Sequence, residues 1–450
     1  MITRSPIDSD DLARLDERLG AALAGISALA ARGRVTEVLG NLIKVNGIRA
    51  PLGEVCALTT RQAGRIGLAE VIGFAGGGTF LSMLGPTTAL SPDVEVEPLG
   101  RRHTVGVGDG LLGRVLDGFG VPLDSAGQPE GTTLVEVDRA PPNPLARHPI
   151  DRPFVTGSRA IDTLLACGIG QRLGIFAPAG VGKSTLLGEL AARSPCDINV
   201  IALVGERGRE VGDFIRDSLG PAAMQRTIIV AATSDRPAME RVRAAQVATA
   251  IAEYFRDRGS NVLLLVDSLT RLARAQREIG LALGEPPTRR GFPPSVFTLL
   301  PRLLERAGPD ARGAITAFYT ILTEGDEQDD PVAEEVRAIL DGHIVLSRIL
   351  ASAGHFPAID LLASNSRLAN QVLNAEQRTI ASDARAMLAK YDEMRLLVQI
   401  GEYRAGLNAD TDRAIALYPK LMAFFNQPCD TTRSPDLNTF ASLRDVLASR

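Results

Sequence analysis

The stretch that most constrains the fold is GIFAPAGVGKST, at residues 174–185. An apolar, strand-like run leads into its glycine-rich part, and LLGELAAR, which is typical of a helix, follows. In a strand–loop–helix setting, backbone N–H groups of the loop can face phosphate oxygens, and the helix N-terminus adds positive potential. The stretch therefore predicts an α/β domain that binds the phosphates of a nucleotide. The loop residues expected to surround the phosphates are Ala179, Gly180, Val181, Gly182, Lys183, Ser184 and Thr185.

The loop departs from the strict pattern G-x-x-x-x-G-K-[ST] at one position, because Ala177 stands where the first glycine is expected. One methyl group can be accommodated there if the φ angle of Ala177 is negative. Lys183 is expected to reach the β- and γ-phosphates. The hydroxyl of Ser184 or Thr185 is expected to ligate Mg²⁺, with Ser184 at the motif position. We therefore interpret the departure as minor.

Two acidic residues follow other predicted strands. In NVLLLVDSLTR (261–271) a buried strand ends at Asp267, and in LVGERGREV (203–211) Glu206 follows the strand INVIALVG. Ligands bind at the carboxyl ends of the strands in an open parallel sheet. We expect Asp267 to hold Mg²⁺ and Glu206 to orient and polarise the attacking water. Taken alone, Glu206 would more often be a solvated loop residue, and the neighbouring motifs favour the catalytic interpretation.

The pattern of apolar residues divides the chain into four parts. Strand and helix runs alternate from Gly168 to about Ile349, which predicts a mostly parallel sheet flanked by helices. Short strands with turn residues precede this region, and helical segments follow it. Helical spacing from Leu12 to Ile26 predicts an amphipathic helix that packs on its own domain or binds a partner. The expected domains are an N-terminal amphipathic helix at 1–32, a small β-barrel at 33–100, the nucleotide-binding α/β domain at 101–370 and a C-terminal helical domain at 371–450.

Composition excludes several classes of function. The formal net charge of the 450 residues is -4, so there is no overall attraction toward nucleic acid or anionic membrane. The N-terminus is too polar for a signal peptide, and no apolar run approaches the roughly 20 residues that a membrane helix needs. The four cysteines and four histidines lack metal-ligand spacing, which predicts reduced thiols in a cytoplasmic protein without a zinc site.

The motifs, taken in their order along the chain, resemble those of the catalytic subunits of rotary ATP synthases, and more closely those of type III secretion ATPases. The resemblance spans roughly residues 33–428. It implies a RecA-like P-loop ATPase core that uses ATP and Mg²⁺, with a β-barrel before it and a helical domain after it. The motifs that carry it include GRVLDGFGVPLD (113–124), VTGSRAIDTLL (155–165), the phosphate loop, GERGRE, DSLTR, AFYTILTEGD, FPAID and GEYRAG.

The resemblance also implies roles for individual residues around the nucleotide. Glu206 matches the glutamate that activates water, and Arg207 matches an arginine that contacts the γ-phosphate within the same subunit. Glu210 matches an acidic residue near the magnesium ion, and Arg271 matches an arginine close to the catalytic glutamate. Phe356 falls where an aromatic ring stacks on adenine.

Arg367, in ASNSRLAN, matches an arginine that is supplied across a subunit interface to the neighbour's nucleotide. Such an arginine stabilises the charge that develops on the transferred phosphoryl group. The alternative interpretations are a surface salt bridge for Arg367 and ordinary core packing for Phe356. If the arginine acts across an interface, hydrolysis needs an assembled ring, and the resemblance implies a homohexamer.

The leading hypothesis is the ATPase of a type III secretion injectisome, which unfolds export substrates and releases their chaperones at the cytoplasmic face of the inner membrane. Its expected partners are a peripheral stalk or regulator, a central stalk that could touch the loop at 283–295, chaperone–substrate complexes and the export gate, and no nucleic acid. A flagellar export ATPase is the main alternative. An RNA-translocating hexameric helicase and a non-catalytic rotary-motor subunit are less favoured. The first 100 residues contain only Phe74 and Phe80 as aromatic residues, and non-catalytic subunits lack the carboxylate of Glu206.

Overall fold

The computed structural model describes residues 32–85, 90–323, 330–429 and 438–449. The amphipathic helix expected within residues 1–32 lies almost entirely outside this part of the chain. The described residues form two compact units, with the boundary between Arg102 and His103. Each unit has a hydrophobic core of its own.

The first unit is a closed barrel of six antiparallel strands in the order β1-β2-β5-β4-β3-β6. Alternate side chains point inward, and Ile43, Val45, Leu58 and Leu81 are fully buried in the barrel. Closure leaves no unpaired strand edge. The strands are β1 (Gly33–Leu39), β2 (Leu42–Asn46), β3 (Glu54–Thr60), β4 (Gly64–Ala75), β5 (Gly78–Met83) and β6 (Glu95–Arg102).

The second unit is built on a nine-stranded sheet, preceded by a small two-stranded sheet of β7 and β9. The large sheet has the order β17-β16-β10-β15-β13-β11-β12-β8, with the short β14 beside β15. Its strands are parallel except β14 and β17, which run antiparallel to their neighbours. The strands are β7 (Thr104–Val107), β8 (Val115–Leu116), β9 (Thr133–Glu136), β10 (Arg172–Ala177), β11 (Ile198–Val204), β12 (Thr227–Ala232), β13 (Asn261–Asp267), β14 (Gly308–Pro309), β15 (Ala314–Leu322), β16 (Gly342–Leu346) and β17 (Ile359–Ser366).

Helices cover both faces of this sheet, which is why its central strands are almost continuously apolar. In β11, Val200 and Ala202 pack on one face, and Ile201 and Leu203 pack on the other. The helices are α1 (Arg159–Leu164), α2 (Lys183–Arg193), α3 (Gly208–Asp213), α4 (Gly220–Met224), α5 (Ala238–Asp257), α6 (Leu269–Ala282), α7 (Pro294–Leu304), α8 (Pro331–Ile339), α9 (Arg348–Ser352), α10 (Ala369–Val372), α11 (Ala375–Gln399), α12 (Ala409–Phe425) and α13 (Thr439–Ala448).

The expected fold class is confirmed: a P-loop α/β core accompanies a small β-barrel and a helical C-terminal region. In that region a capping box formed by Asn374 and Gln377 precedes α11, and the side chain of Asn408 caps the N-terminus of α12 by accepting a hydrogen bond from the N–H of Thr411. No helix in the described ranges is long and apolar enough to cross a membrane.

Candidate active site

The phosphate loop connects the carboxyl end of β10 to the first residue of α2, Lys183. Gly180 and Gly182 have φ angles of 81° and 85°, in the left-handed region that favours glycine. The first hydrogen bond of α2 runs from the N–H of Leu186 to the carbonyl of Gly182. The preceding N–H groups lack intrahelical acceptors and are available to an anion.

The side chains beside the loop explain how it is anchored. Val181 is buried, and its side chain belongs to the core between the sheet and the helices on one of its faces. Ala177 is also buried there, as the last residue of β10. Its φ angle is not positive, because among the described non-glycine residues only Arg290 has a positive φ angle. The methyl group at the departure from the strict pattern is therefore accommodated. Ala179, Ser184 and Thr185 are exposed at the loop surface.

Asp267 ends β13 at the same edge of the sheet and is 3% exposed. Its Oδ1 contacts the ammonium group of Lys183 and accepts a hydrogen bond of 2.6 Å from Thr320 Oγ1. Thr320 lies on β15, the strand between β10 and β13. Thr320 belongs to the motif AFYTILTEGD, in which no role was predicted for the threonine, although a polar residue within an apolar strand is a signal that the sequence contains.

Glu206 follows β11 and is held between two cations. Its Oε2 lies 3.1 Å from Arg271 Nη2, and its Oε1 lies 3.6 Å from Lys183 Nζ. Arg271 also donates a hydrogen bond to the carbonyl of Gly205. A Cβ at Gly205 would lie 3.0 Å from Arg271 Cδ, so a glycine lets this arginine cross the backbone. Glu206 Oε1 accepts no hydrogen bond from any described residue, although it is buried.

Burial raises the pKa of Glu206 to about 7, and the nearby charge of Asp267 and a hydrogen bond shared with Glu210 add to the effect. The same shared hydrogen bond lowers the pKa of Glu210. Arg207 is exposed, and its guanidinium lies 3.4 Å from Glu210 Oε1. A buried carboxyl group whose pKa lies near neutrality can exchange protons with water at physiological pH.

A cleft of about 530 Å³ lies beside the loop and contains Phe356 on its wall. Phe356 is 41% exposed, and a Cβ at Gly182 would lie 3.4 Å from its Cε1 atom. The ring therefore lies against the phosphate loop. Phe356 was predicted from the sequence, whereas Asn426 and Gln427, which also line the cleft, were not.

Arg367 lies at the opposite edge of the sheet from the phosphate loop. The preceding residue, Ser366, pairs with Gly342 at the start of β16, and β16 runs parallel to β10. The six residues of β10 separate the two edges by roughly 17 Å at ~3.3 Å per residue. Arg367 Nη2 donates a hydrogen bond of 3.2 Å to the carbonyl of Arg337. The fold thus brings Lys183, Asp267 and Glu206 together and places Arg367 away from them.

The residues present fit a nucleotide with magnesium. The loop offers backbone N–H groups and an ammonium group to phosphates, and the buried Oε1 of Glu206 lacks a hydrogen-bond donor. No group of three or more His, Cys, Asp or Glu side chains in the described ranges could hold a metal ion. Mg²⁺ is typically bound by one or two carboxylates together with substrate phosphates, which suits Asp267 and Ser184. When bound, it would neutralise charge on the phosphates.

A parallel sheet with a phosphate loop after one strand, a buried aspartate at the end of a second and a glutamate after a third defines a P-loop nucleoside triphosphatase. Residues 157–366 match the ATP synthase alpha/beta family nucleotide-binding domain. Residues 35–100 match the beta-barrel domain of the same family, and residues 373–445 match the T3SS EscN ATPase C-terminal domain.

Individual relatives agree with these matches. The chain is 52% identical to the type 3 secretion system ATPase of Xanthomonas euvesicatoria over 97% of each chain. It is 52% identical to the flagellum-specific ATP synthase of Treponema pallidum over 88% of each chain. The assembled ATPase EscN of the enteropathogenic E. coli type III secretion system superposes with a TM-score of 0.86 at 45% identity, over 92% of this chain and 100% of that one. A structure of assembled EscN with its central stalk EscO gives 0.83 at 44% identity over the same shares.

The chain therefore belongs to the ATP synthase alpha/beta family and, within it, to the type III secretion ATPases. The enzymatic class expected from the sequence, an ATP hydrolase that uses Mg²⁺ and ATP, is confirmed by this membership. The roles of individual site residues stay predictions.

Proposed function

We propose that this chain hydrolyses ATP to energise type III protein secretion, by unfolding export substrates and releasing their chaperones. The observation that carries the proposal is the convergence of Lys183, Asp267 and Glu206 at the carboxyl edge of one parallel sheet. Family membership supplies the process that the hydrolysis serves.

Each residue of the site has a proposed task. Lys183 and the loop N–H groups bind the phosphates, and Glu206 orients the attacking water. Arg271 holds the Glu206 carboxylate in place through the 3.1 Å ion pair. Arg207 contacts the γ-phosphate of the nucleotide bound to its own subunit. Ser184 and Asp267 hold the magnesium ion, with Glu210 nearby.

Arg367 is proposed to act on the nucleotide of a neighbouring subunit in a homohexameric ring. Its position at the far edge of the sheet supports this, because it cannot reach the phosphate loop of its own chain. The EscN relative is described as an assembled ATPase. The adenine base is proposed to stack on Phe356, whose exposed ring faces the cleft.

The remaining partners are proposed from the same membership. A central stalk is expected to contact the ring, as EscO does with EscN. The loop at 283–295 is a candidate for that contact. The other proposed partners are a peripheral stalk or regulator, chaperone–substrate complexes and the export gate. We propose accordingly that the ring lies in the cytoplasm against the inner membrane.

A nucleic-acid partner is not proposed. In the described part of the barrel, Phe80 is buried and only Phe74 exposes an aromatic ring, whereas barrels that bind single strands stack several bases on such rings. RNA should leave the ATPase rate unchanged, and a several-fold stimulation by RNA would favour the helicase alternative.

The decisive experiment measures ATPase activity of the purified chain against its concentration. Specific activity should rise steeply as the ring assembles, and full activity in a strictly monomeric preparation would contradict the shared site. Mixing inactive Lys183→Ala with inactive Arg367→Ala should restore activity, because some interfaces then contain both intact residues. A chain without any ATPase activity would favour the non-catalytic subunit.

The flagellar alternative rests on the flagellum-specific relative, which is as similar as the secretion relative in the region it covers. The match of residues 373–445 to the EscN C-terminal domain favours the injectisome. Deleting the gene in its own host distinguishes the two. Loss of effector secretion with normal motility supports the injectisome, and loss of motility supports flagellar export.

A further inference from the structure

The backbone of Phe356 is held by a segment 70 residues further along the chain. The N–H of Phe356 donates a hydrogen bond of 3.1 Å to Asn426 Oδ1. The N–H of Gln427 donates one of 2.6 Å to the carbonyl of Phe356. Both polar atoms of the Phe356 backbone are therefore bonded to the residues that follow α12. Residues 424–427 are called the helix-end clamp below.

The side chain of Gln427 ties this clamp to the start of α1. Its Oε1 accepts a hydrogen bond of 2.6 Å from the N–H of Arg159, and its Nε2 donates one of 3.2 Å to the carbonyl of Gly157. The guanidinium of Arg159 in turn donates a hydrogen bond of 3.0 Å to the carbonyl of Phe424 and lies 5.1 Å from that ring's centre. Three hydrogen bonds and one cation–π contact thus join the clamp to the first residue of α1 and to the turn before it.

The turn that receives these contacts is itself fixed. Asp162 accepts hydrogen bonds of 2.7 and 2.8 Å from the N–H and hydroxyl of Thr156, and one of 2.8 Å from the N–H of Gly157. Gly157 has a φ angle of 81°, and a Cβ there would lie 2.7 Å from Arg193 Nε. The motif VTGSRAIDTLL has no role in the proposed mechanism, and these contacts give its Thr156, Gly157 and Asp162 a structural role in holding the turn before α1.

We infer that Gln427 and Asn426 are positioning residues for the nucleotide base: they hold Phe356 over the cleft on a support that α1 keeps rigid. The inference rests on the proposed function, in which the adenine stacks on Phe356. The groups that act on the phosphates are held by other contacts, on β13, β15 and α6. Loss of the clamp should therefore weaken binding of the base without disturbing the phosphate chemistry.

The test uses the full-length chain and two ligands with Mg²⁺, ADP and inorganic pyrophosphate, measured by isothermal titration calorimetry. Gln427→Ala should raise the Kd for ADP about five- to tenfold, because the unsupported ring of Phe356 then occupies its position over the cleft in only a fraction of the molecules. The Kd for pyrophosphate, which lacks a base, should stay within twofold. In steady-state kinetics the KM for ATP should rise while kcat stays within twofold, the signature of lost ground-state binding.

Two further variants separate positioning from general destabilisation. Asn408→Ala removes a cap at the other end of α12 and should leave both Kd values unchanged. Asn426→Ala should weaken ADP binding, and Asn426→Asp, which keeps an acceptor oxygen for the Phe356 N–H, should restore it. Because Asn426 is exposed, these variants test the inference even if Gln427→Ala does not fold.

Several results would overturn the inference. These are an unchanged Kd for ADP in Gln427→Ala and Asn426→Ala, equal losses for ADP and pyrophosphate, and an equal loss in Asn408→Ala. Failure of the proposed function gives a different result. In that case the wild-type chain binds neither ligand, or Lys183→Ala binds both as well as wild type does.

Discussion

The two halves of the proposed nucleotide site, one for the phosphates and one for the base, are built in different ways. The phosphate half consists of Lys183, Asp267 and Glu206, which follow three strands of one sheet. The base half consists of Phe356, in a turn before β17, and the helix-end clamp, which comprises the last two residues of α12 and the two that follow. The positions of the phosphate-half side chains are set by the sheet, and the position of Phe356 is set by the end of α12.

Because the two halves are held by different elements, a substitution can affect one half and leave the other unchanged. The carboxylates of Asp267 and Glu206 are buried, and Asp267 accepts a hydrogen bond of 2.6 Å from Thr320 on the neighbouring strand. Phe356 is exposed, and its backbone is hydrogen-bonded to Asn426 and Gln427, just after α12 in the C-terminal helical region. Substitutions in the phosphate half should therefore mainly change turnover, and substitutions in the base half should mainly change the affinity for the nucleotide.

Lys183→Ala should give the largest effect, with no detectable ATPase turnover. The change removes the ammonium group that the phosphates need and leaves Asp267 and Glu206 without their nearest lysine. A coupled assay for phosphate release measures it. The matched control Lys390→Ala, on the surface of α11, should retain wild-type activity. Normal turnover in Lys183→Ala would contradict the assignment of the phosphate loop.

Glu206→Gln should lower kcat by about 10²- to 10⁴-fold, the range for loss of a group that transfers or orients a proton. ADP should still bind within a few-fold of wild type, because the phosphate loop is intact. Single-turnover kinetics and calorimetry measure the two quantities. Glu278→Gln, at an exposed ion pair with Arg241, is the control that should behave as wild type. A fast Glu206→Gln enzyme would exclude the catalytic role.

Phe356→Ala should raise the KM for ATP about ten- to thirtyfold, since stacking of one base on an aromatic ring contributes roughly 1–3 kcal/mol. The kcat value should change little, because Phe356 lies in the base half of the site. Phe356→Tyr keeps an aromatic ring and should remain close to wild type. If Phe356→Ala lowered kcat and left KM unchanged, the two halves would not be separable in this way.

Thr320→Val should give the smallest effect, a three- to tenfold increase in the Mg²⁺ concentration needed for half-maximal activity. The change keeps the shape of the side chain and removes one hydrogen bond to Asp267, which contributes about 1 kcal/mol. Magnesium titration of the steady-state rate measures it. The control is Thr316→Val on the same strand, where the hydroxyl accepts a hydrogen bond from Gly170 and lies away from the site. Equal shifts in both variants would show that Thr320 acts through stability alone.

Much of the phosphate half could be predicted from the sequence. Strand-to-loop transitions are local, and the carboxyl ends of parallel strands meet at one edge of the sheet. Three apolar runs and the polar residues at or after their ends therefore predict that Lys183, Asp267 and Glu206 lie close together. The β-barrel and the helical C-terminal region followed in the same way from periodicity and turn residues.

The sequence by itself determined which segments become strands and helices, and hence which polar residues lie at the catalytic edge of the sheet. Only the tertiary structure decided that Thr320 donates to Asp267, that Arg271 crosses Gly205 to reach Glu206, and that Gln427 supports Phe356. It also placed Arg367 at the opposite edge. The physical reason is sequence separation. Periodicity and motifs depend on neighbours along the chain, whereas these contacts join residues roughly 50 to 70 positions apart and depend on how the sheet and helices pack.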